Sequence, residues 1–308
     1  MVAGEVGLVR AGAQLLWRRQ RVVWCVYAVN FLLALLGTVP VALRLGSVLD
    51  HSLAADRLSR GFDAGLLLEL LSQPEIALRA QVPGALFLSL LFFVLMLFLT
   101  GGILEVYRED RTLSMGEFFE AGGAFFWRFV RLLVFLALAL VPVGLIFSLV
   151  QRGSSRLASD APQEMLGFYV QLAGTAMALF LLMGVRLWFD MAQVYTVAES
   201  ERAMRRALAR AFKLTFGNFP KLFWMYLRIS LVAWAGLALA AWVWFEWVRP
   251  ERVGFSFLLG QAVLLLWLAT RLWQRASETC WYQRCHGTPV PTGPEEPQPE
   301  LEELLSLP

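Results

Sequence analysis

The chain has 308 residues, of which 58% are hydrophobic and only 17% are charged, and its mean hydropathy is +0.60. Soluble domains carry closer to 25% charged residues, so this composition excludes an ordinary soluble protein. The net charge of +3 is only mildly basic, and we expect no nucleic-acid partner. Three cysteines without CxxC spacing give neither a disulfide framework nor a zinc motif.

Apolar runs recur along the chain, and each approaches the ~20 residues that an α-helix needs to cross ~30 Å of hydrocarbon. In lipid a helix satisfies its own backbone groups, so each run predicts a membrane span. The fifth run contains one charged residue, Arg228. The predicted spans are Val22 to Leu43, Pro83 to Leu104, Leu132 to Val150, Met165 to Val185, Leu222 to Phe245 and Val253 to Thr270. The predicted fold class is therefore an all-α polytopic helix bundle with six transmembrane helices.

Lysine and arginine are unevenly distributed over the segments between these spans, and cytoplasmic segments carry the positive excess. One side has 18 basic residues and the other has 8, with Arg228 counted on neither side. The distribution predicts a bacterial plasma (inner) membrane protein with both termini in the cytoplasm. We expect residues 1–285 to form one membrane domain with a helix at Phe62 to Leu71 on the outer surface. The acidic, proline-rich residues 286–308 are predicted to form a disordered tail.

A pattern of an amphipathic segment, an aromatic and basic cluster and a pair of spans occurs three times. Arg21, Arg131 and Lys221 fall at equivalent places in it, each just before a span. One interpretation is a threefold repeat. The alternative is that every span start collects aromatic and basic residues, because both prefer the membrane interface.

The second amphipathic segment begins with a strong local signal. Ser114 is followed three residues later by Glu117, which is the spacing of a capping box, and Leu113 and Phe118 occupy the positions of a hydrophobic staple. The sequence therefore predicts that a helix begins at Ser114.

The third amphipathic segment, Glu201 to Phe216, has two different faces at helical spacing. The basic stripe consists of Arg202, Arg206, Arg210 and Lys213. The apolar stripe consists of Met204, Leu208, Ala211 and Phe212. Such a helix can lie flat in the membrane interface, with the apolar stripe in lipid and the basic stripe on anionic headgroups. The alternative is an ordinary solvated basic face on a helix that packs against the bundle.

The motifs of catalysis and cofactor binding are missing from the sequence. It contains no HExxH, GxSxG, GxxxxGK or GxGxxG, and its two histidines, His51 and His286, are predicted on opposite sides of the membrane. We therefore expect no enzyme activity, no catalytic residues, no metal site and no cofactor. Most acidic residues are assigned to loops, where a charge is ordinarily solvated.

Four polar residues near or within the spans predict a second possible function, which is transport. Polar residues at membrane depth are costly and are functional candidates for that reason. Arg186 and Asp190 have the spacing of a pair within one helix, whereas Arg228 can reach the headgroups or face inward. If these three residues and Asn30 line one cavity, the chain is a small-solute or lipid transporter.

Two stretches resemble a known group of proteins. They are Ser114-Met-Gly-Glu-Phe-Phe and the region from Asp190-Met-Ala-Gln-Val-Tyr through Arg206-Ala-Leu-Ala-Arg-Ala-Phe. In this arrangement the chain resembles poorly characterised bacterial multi-span membrane proteins that are similar to the membrane domain of some glycerophosphodiester phosphodiesterases. The chain has no room for the catalytic barrel of those enzymes and no match to its histidine motif. The resemblance implies a membrane module without the enzyme.

The leading functional hypothesis is a non-enzymatic module that associates with membrane lipids, specifically anionic lipid, or with a protein partner or a second copy of itself. The predicted surface for this association consists of Arg202, Arg206, Arg210, Lys213, Arg21, Arg131 and Lys221. These residues are predicted to lie on the cytoplasmic side.

Overall fold

The computed structural model describes residues 2–49, 65, 78–160, 164–247 and 253–286. Within them the chain is helical and contains no strand. The helices are α1 (Val2–Arg18), α2 (Gln20–Leu49), α3 (Leu78–Glu109), α4 (Met115–Asp160), α5 (Glu164–Ala198), α6 (Met204–Gly217), α7 (Phe219–Trp247) and α8 (Val253–His286). The predicted outer helix at Phe62 to Leu71 and the predicted tail after residue 286 lie outside the described residues.

Six of these helices are long and apolar enough to cross a membrane, which confirms the predicted polytopic bundle. They are α2, α3, α4, α5, α7 and α8, and each contains one of the predicted spans. The helices are longer than the spans. The 46 residues of α4 extend over about 69 Å, more than twice the thickness of the hydrocarbon. Long parts of the helices must therefore lie beyond the hydrocarbon.

Side-chain burial is concentrated at one end of the bundle, which we call the packed end. Here α2, α4 and α7 begin, α3, α5 and α8 finish, and α1 and α6 pack against them. Phe129, Leu187 and Leu222 are fully buried in this core. Along the rest of the bundle large apolar side chains are exposed, such as Leu138 (68% exposed) and Leu239 (61%). Exposed apolar surface of this extent is expected where helices face lipid.

The three amphipathic segments pack in equivalent ways at the packed end. The start of α4 crosses the end of α3, and α6 crosses the end of α5. In the same manner α1 crosses the end of α8, which joins the beginning of the described chain to its last helix. The indole N–H of Trp188 on α5 donates to the Leu208 carbonyl of α6 at 2.9 Å. Correspondingly, the indole N–H of Trp273 on α8 donates to the Val9 carbonyl of α1 at 2.8 Å.

Small residues allow these crossings. A Cβ added to Gly12 of α1 would lie 2.8 Å from the backbone of Ser277 on α8. A Cβ added to Gly122 of α4 would lie 2.9 Å from the Phe98 carbonyl of α3. At the third crossing Ala211 of α6 is fully buried. At each crossing the small residue lies nine or ten positions before Arg21, Arg131 or Lys221, the basic residue that precedes the next span.

The capping box predicted at Ser114 is present. The backbone N–H of Ser114 donates to Glu117 Oε2 at 2.7 Å, and the backbone N–H of Glu117 donates to Ser114 Oγ at 3.3 Å. Leu113 and Phe118 pack in the same hydrophobic cluster, as a staple requires. The helix begins at Met115, the residue after the cap.

Candidate functional site

Helix α6 carries the largest group of predicted surface residues, and its start differs from the prediction. The helix begins at Met204, not at Glu201, because Ala203 has an extended backbone and forms the N-cap. The Glu201 carboxylate accepts hydrogen bonds from the backbone N–H groups of Arg202 and Ala203 at 3.1 and 3.0 Å. These bonds, the one from Ala203 foremost, hold the pKa of Glu201 below its usual range. Arg202 therefore precedes the helix and is not part of its basic stripe.

The apolar stripe of α6 packs on protein. Met204, Leu208 and Ala211 are buried against the bundle, together with Ala207 and Thr215. The predicted insertion of this stripe into lipid is therefore wrong. Phe212 does not belong to the buried stripe, since 46% of its surface is exposed. Its position is about 80° around the helix from Met204 and about 100° from Ala211.

The exposed face of α6 has an aromatic edge and a basic edge, and the exposed Arg205 lies on the aromatic side about two turns before Phe212. Phe212 and Phe216 form the aromatic edge, and their ring centroids are 4.4 Å apart. This edge continues onto the spans, because Phe212 contacts Trp188 of α5 at 5.2 Å and Phe216 stacks on Phe219 of α7 at 5.9 Å. Next to it, Phe216, Phe219 and Phe180 help to line an almost wholly apolar, half-open cavity of about 340 Å³.

The basic edge of α6 consists of the exposed residues Arg206, Arg210 and Lys213. At 100° per residue they lie between about 60° and 120° around the helix from Phe216. The Arg210 guanidinium bonds to the Tyr195 hydroxyl of α5 and lies 5.8 Å from the centroid of its ring. Arg210 and Lys213 line a second half-open cavity, of about 700 Å³, which also includes Tyr195. The basic edge is thus solvated but partly held in place.

The entry cations Arg21, Arg131 and Lys221 are all exposed at the packed end. An exposed aromatic ring precedes each of them by four or five residues. These rings belong to Trp17 (79% exposed), Trp127 (67%) and Phe216 (44%). The three crossings of the bundle therefore present three similar pairs of an exposed ring and an exposed cation.

A groove lies where α1 meets α2 and where α3 meets α4. Its volume is about 420 Å³, and Arg18, Arg19 and Arg21 line it. Arg19 forms a salt bridge to Asp110 at 3.0 Å, and Arg18 approaches the same carboxylate at 3.5 Å. Three guanidinium groups line the groove, and two of them pair with a single carboxylate, so the groove retains positive charge.

The four residues predicted to share a polar cavity do not come together. The Asn30 amide donates to the Val26 carbonyl of its own helix at 2.7 Å and lies 3.9 Å from Met96 Sδ of α3, so it is part of a helix contact. Arg228 lies half-buried on α7, about 200° around the helix from Tyr226. Arg186 and Asp190 meet, as the predicted pair within α5, with Arg186 Nε 3.7 Å from Asp190 Oδ2.

Asp190 belongs to a buried polar network that joins α5, α7 and α8. The Tyr226 hydroxyl donates to Asp190 Oδ2 at 2.6 Å, and Arg275 Nη2 lies 2.9 Å from Asp190 Oδ1. The same tyrosine hydroxyl is also hydrogen-bonded to Glu278, whose side chain is fully buried. Arg186 donates to Gln274 Oε1 at 3.0 Å, and its guanidinium lies 5.7 Å from the centroid of the Tyr226 ring.

Sequence analysis missed Tyr226, Arg275 and Glu278, and it wrongly treated the acidic residue among them as a solvated loop charge. A usable signal was present: Arg275, Glu278 and Tyr282 are spaced by three and four residues, which is a helical period, and α8 continues to His286. The partners of Glu278 lie on other helices, and no spacing in the sequence reveals them.

Among the residues that the structure describes, no group of histidine, cysteine, aspartate and glutamate side chains is arranged to hold a metal ion. The three cysteines, Cys25, Cys280 and Cys285, are free. Comparison of the chain with family models, with curated proteins and with solved structures finds no match.

Proposed function

We propose that this chain is a non-enzymatic membrane module whose packed end associates with anionic lipid at the cytoplasmic face of a bacterial inner membrane. The observation that carries the proposal is the divided face of α6. Phe212 and Phe216 form an edge that is continuous with the lipid-facing spans, and Arg206 and Lys213 lie beside it. Rings at the level of the headgroups with cations next to them are the arrangement that binds a negatively charged interface.

The orientation is part of the proposal. The excess of lysine and arginine at the packed end supports a cytoplasmic location, because positive segments stay on that side. The inner leaflet of the membrane presents anionic headgroups, and each basic residue close to it contributes ~1 kcal/mol. Three pairs of an exposed ring and an exposed cation lie at this end, so similar contacts with lipid are expected at three places around the bundle. The pairs are Trp17 with Arg21, Trp127 with Arg131, and Phe216 with Lys221. The sequence resemblance to a membrane domain without its catalytic barrel agrees with a binding role.

The test compares lipid selectivity in reconstituted protein. Spin-labelled phosphatidylglycerol and phosphatidylcholine are added to proteoliposomes, and the fraction of each label immobilised at the protein surface is measured. We expect the wild type to prefer phosphatidylglycerol. The double variant Arg206→Gln/Lys213→Gln should lose about 2 kcal/mol of this preference in total, spread over the lipids that contact the two residues.

The matched control is Arg44→Gln/Arg152→Gln, which removes two exposed arginines from the opposite end. This variant should retain the wild-type selectivity. If both double variants select lipid like the wild type, or if the wild type shows no preference, the proposal is wrong. Loss of selectivity in the control variant alone would place the anionic lipid contact at the opposite end and would equally contradict it.

The alternative, a small-solute or lipid transporter, is favoured by one observation, the charged network around Asp190 and Glu278. It has less support because Asn30 packs in a contact between α2 and α3 that does not belong to this network. Solute or lipid flux that depends on Arg186 and Asp190 in proteoliposomes would favour the transporter over the lipid-binding module.

A further inference from the structure

A chain of three polar groups is buried between α5, α7 and α8. The Tyr226 hydroxyl stands in the middle, hydrogen-bonded to Asp190 Oδ2 on one side and to Glu278 Oε1 on the other. Glu278 is 0% exposed, Tyr226 is 2% exposed and Asp190 is 7% exposed. Burial this complete means that water cannot supply hydrogen bonds which the three groups fail to make with each other.

The number of protons in this chain is limited. A tyrosine hydroxyl has one proton and donates one hydrogen bond, whereas an ionised carboxylate only accepts. If both carboxyl groups were ionised, Tyr226 could donate to one of them, and its oxygen lone pairs would face the other oxygen across a dry contact. Two hydrogen bonds therefore require a second proton, and one of the two carboxyl groups must carry it.

The positions of the arginines decide which carboxyl group is protonated. Arg275 Nη2 lies 2.9 Å from Asp190 Oδ1, and Arg186 Nε lies 3.7 Å from Asp190 Oδ2, so a negative charge on Asp190 is well compensated. Glu278 Oε2 comes no closer than 3.9 Å to Arg275 Nη1 and has no hydrogen-bond partner among the described residues. Burying Oε2 without a hydrogen-bond partner costs much less free energy if Glu278 is a neutral acid, with Oε2 as its carbonyl oxygen, than if Glu278 is an ionised carboxylate.

We propose that Glu278 is protonated and donates to Tyr226, which in turn donates to ionised Asp190. The packed end then contains a proton-binding site, whose ligand is a single proton. This site is separate from the lipid-binding face of α6, and it goes beyond the proposed function.

In the part of the chain that the structure describes, the charged and titratable groups around Glu278 come from three helices. They are Arg186 and Asp190 of α5, Tyr226 of α7, and Arg275 of α8 itself. From α1, Gly12 packs against the neighbouring Ser277, and this contact introduces no charge. Removal of the proton would place a second negative charge beside Asp190, and Arg275 is then the nearest cation to both. We expect ionisation of Glu278 to weaken the packing of α8 against α5 and α7.

The test is the infrared spectrum of the full-length protein in lipid. A protonated carboxylic acid has a carbonyl stretching band that an ionised carboxylate lacks, and the band shifts when hydrogen is exchanged for deuterium. We expect this band in the wild type at neutral pH and its loss in Glu278→Gln. The side chain of glutamine keeps an N–H donor for Tyr226, so this variant should fold. The control Glu246→Gln, at an exposed site on the opposite end, should keep the band.

A second variant keeps the proposal testable if Glu278→Gln fails to fold. Tyr226→Phe removes the hydroxyl that accepts the proposed hydrogen bond, so the band should remain but change its frequency. The proposal is overturned if the spectra of the wild type and Glu278→Gln are the same in this region. It is also overturned if Tyr226→Phe leaves the frequency unchanged, because the neutral acid would then belong to another residue. These results are independent of lipid selectivity.

Discussion

The contact between α1 and α8 permits a sharp test, because a single glycine determines how closely the two helices approach. In a Gly12→Ala variant the new methyl group would lie 2.1 Å from Ser277 Oγ and 2.8 Å from the Ser277 backbone N and Cα. The hydroxyl can rotate away, but the backbone cannot. The helices must separate by about 0.6 Å to restore an ordinary contact, and overpacking of this kind costs ~1–3 kcal/mol.

The same substitution also has a favourable effect, since alanine is better than glycine inside a helix by ~1 kcal/mol. The balance of the two effects is about 0–2 kcal/mol, and its midpoint of about 1 kcal/mol predicts that Gly12→Ala raises the population of the opened state roughly fivefold. Gly7→Ala is the matched control on the same helix. Its methyl group would meet only Arg284 Nη1, at 3.7 Å, so the helix preference should act without a clash.

Cys280 reports the opening of this contact. Its side chain is 3% exposed and packs in one cluster with Leu15 of α1. In a background in which Cys25 and Cys285 are replaced by serine, maleimide labelling of Cys280 should be about five times faster in Gly12→Ala than in the wild type. In Gly7→Ala it should be equal to the wild type or slower. Equal rates in the two glycine variants would refute the close approach of the helix backbones.

Three further predictions concern local contacts at the packed end. Ser114→Ala removes the oxygen that accepts from the Glu117 N–H and should destabilise the start of α4 by ~0.5–2 kcal/mol, measured as faster amide exchange there. Trp273→Phe removes a hydrogen bond between α8 and α1, and Trp188→Phe removes one between α5 and α6. Thermal unfolding in detergent should therefore show similar losses of ~1 kcal/mol for both. Glu201 has a pKa below its usual range, so its contribution is present above the unfolded value of about 4.5 and is lost as the pH falls through the folded value. Glu201→Gln should therefore speed amide exchange at the start of α6 at neutral pH, and the difference should vanish in acid.

The parts of this fold that could be predicted are those with a local or a periodic pattern in the sequence. The six apolar helices follow from runs that only hydrocarbon or a large core can cover, and the start of α4 follows from the four residues that begin at Ser114. The start of α6 was predicted three residues too early, because the extended backbone of Ala203 is not marked by a capping side chain. The buried network was missed because the hydrogen-bond partner of Glu278 is Tyr226, which lies 52 positions earlier in the chain.

The location of the core at one end of the bundle has a physical reason. Inside a bilayer the lipid tails solvate apolar side chains as well as a neighbouring helix does, so burial gains little between spans. Where the helices extend beyond the hydrocarbon, water makes the same burial favourable. The segments α1, α6 and the start of α4 supply apolar faces at that level, and they cover the ends of α8, α5 and α3, respectively. Because α1 covers α8, the first and last described helices are in contact. The three segments together form a core at this end of the bundle that the spans alone would not form.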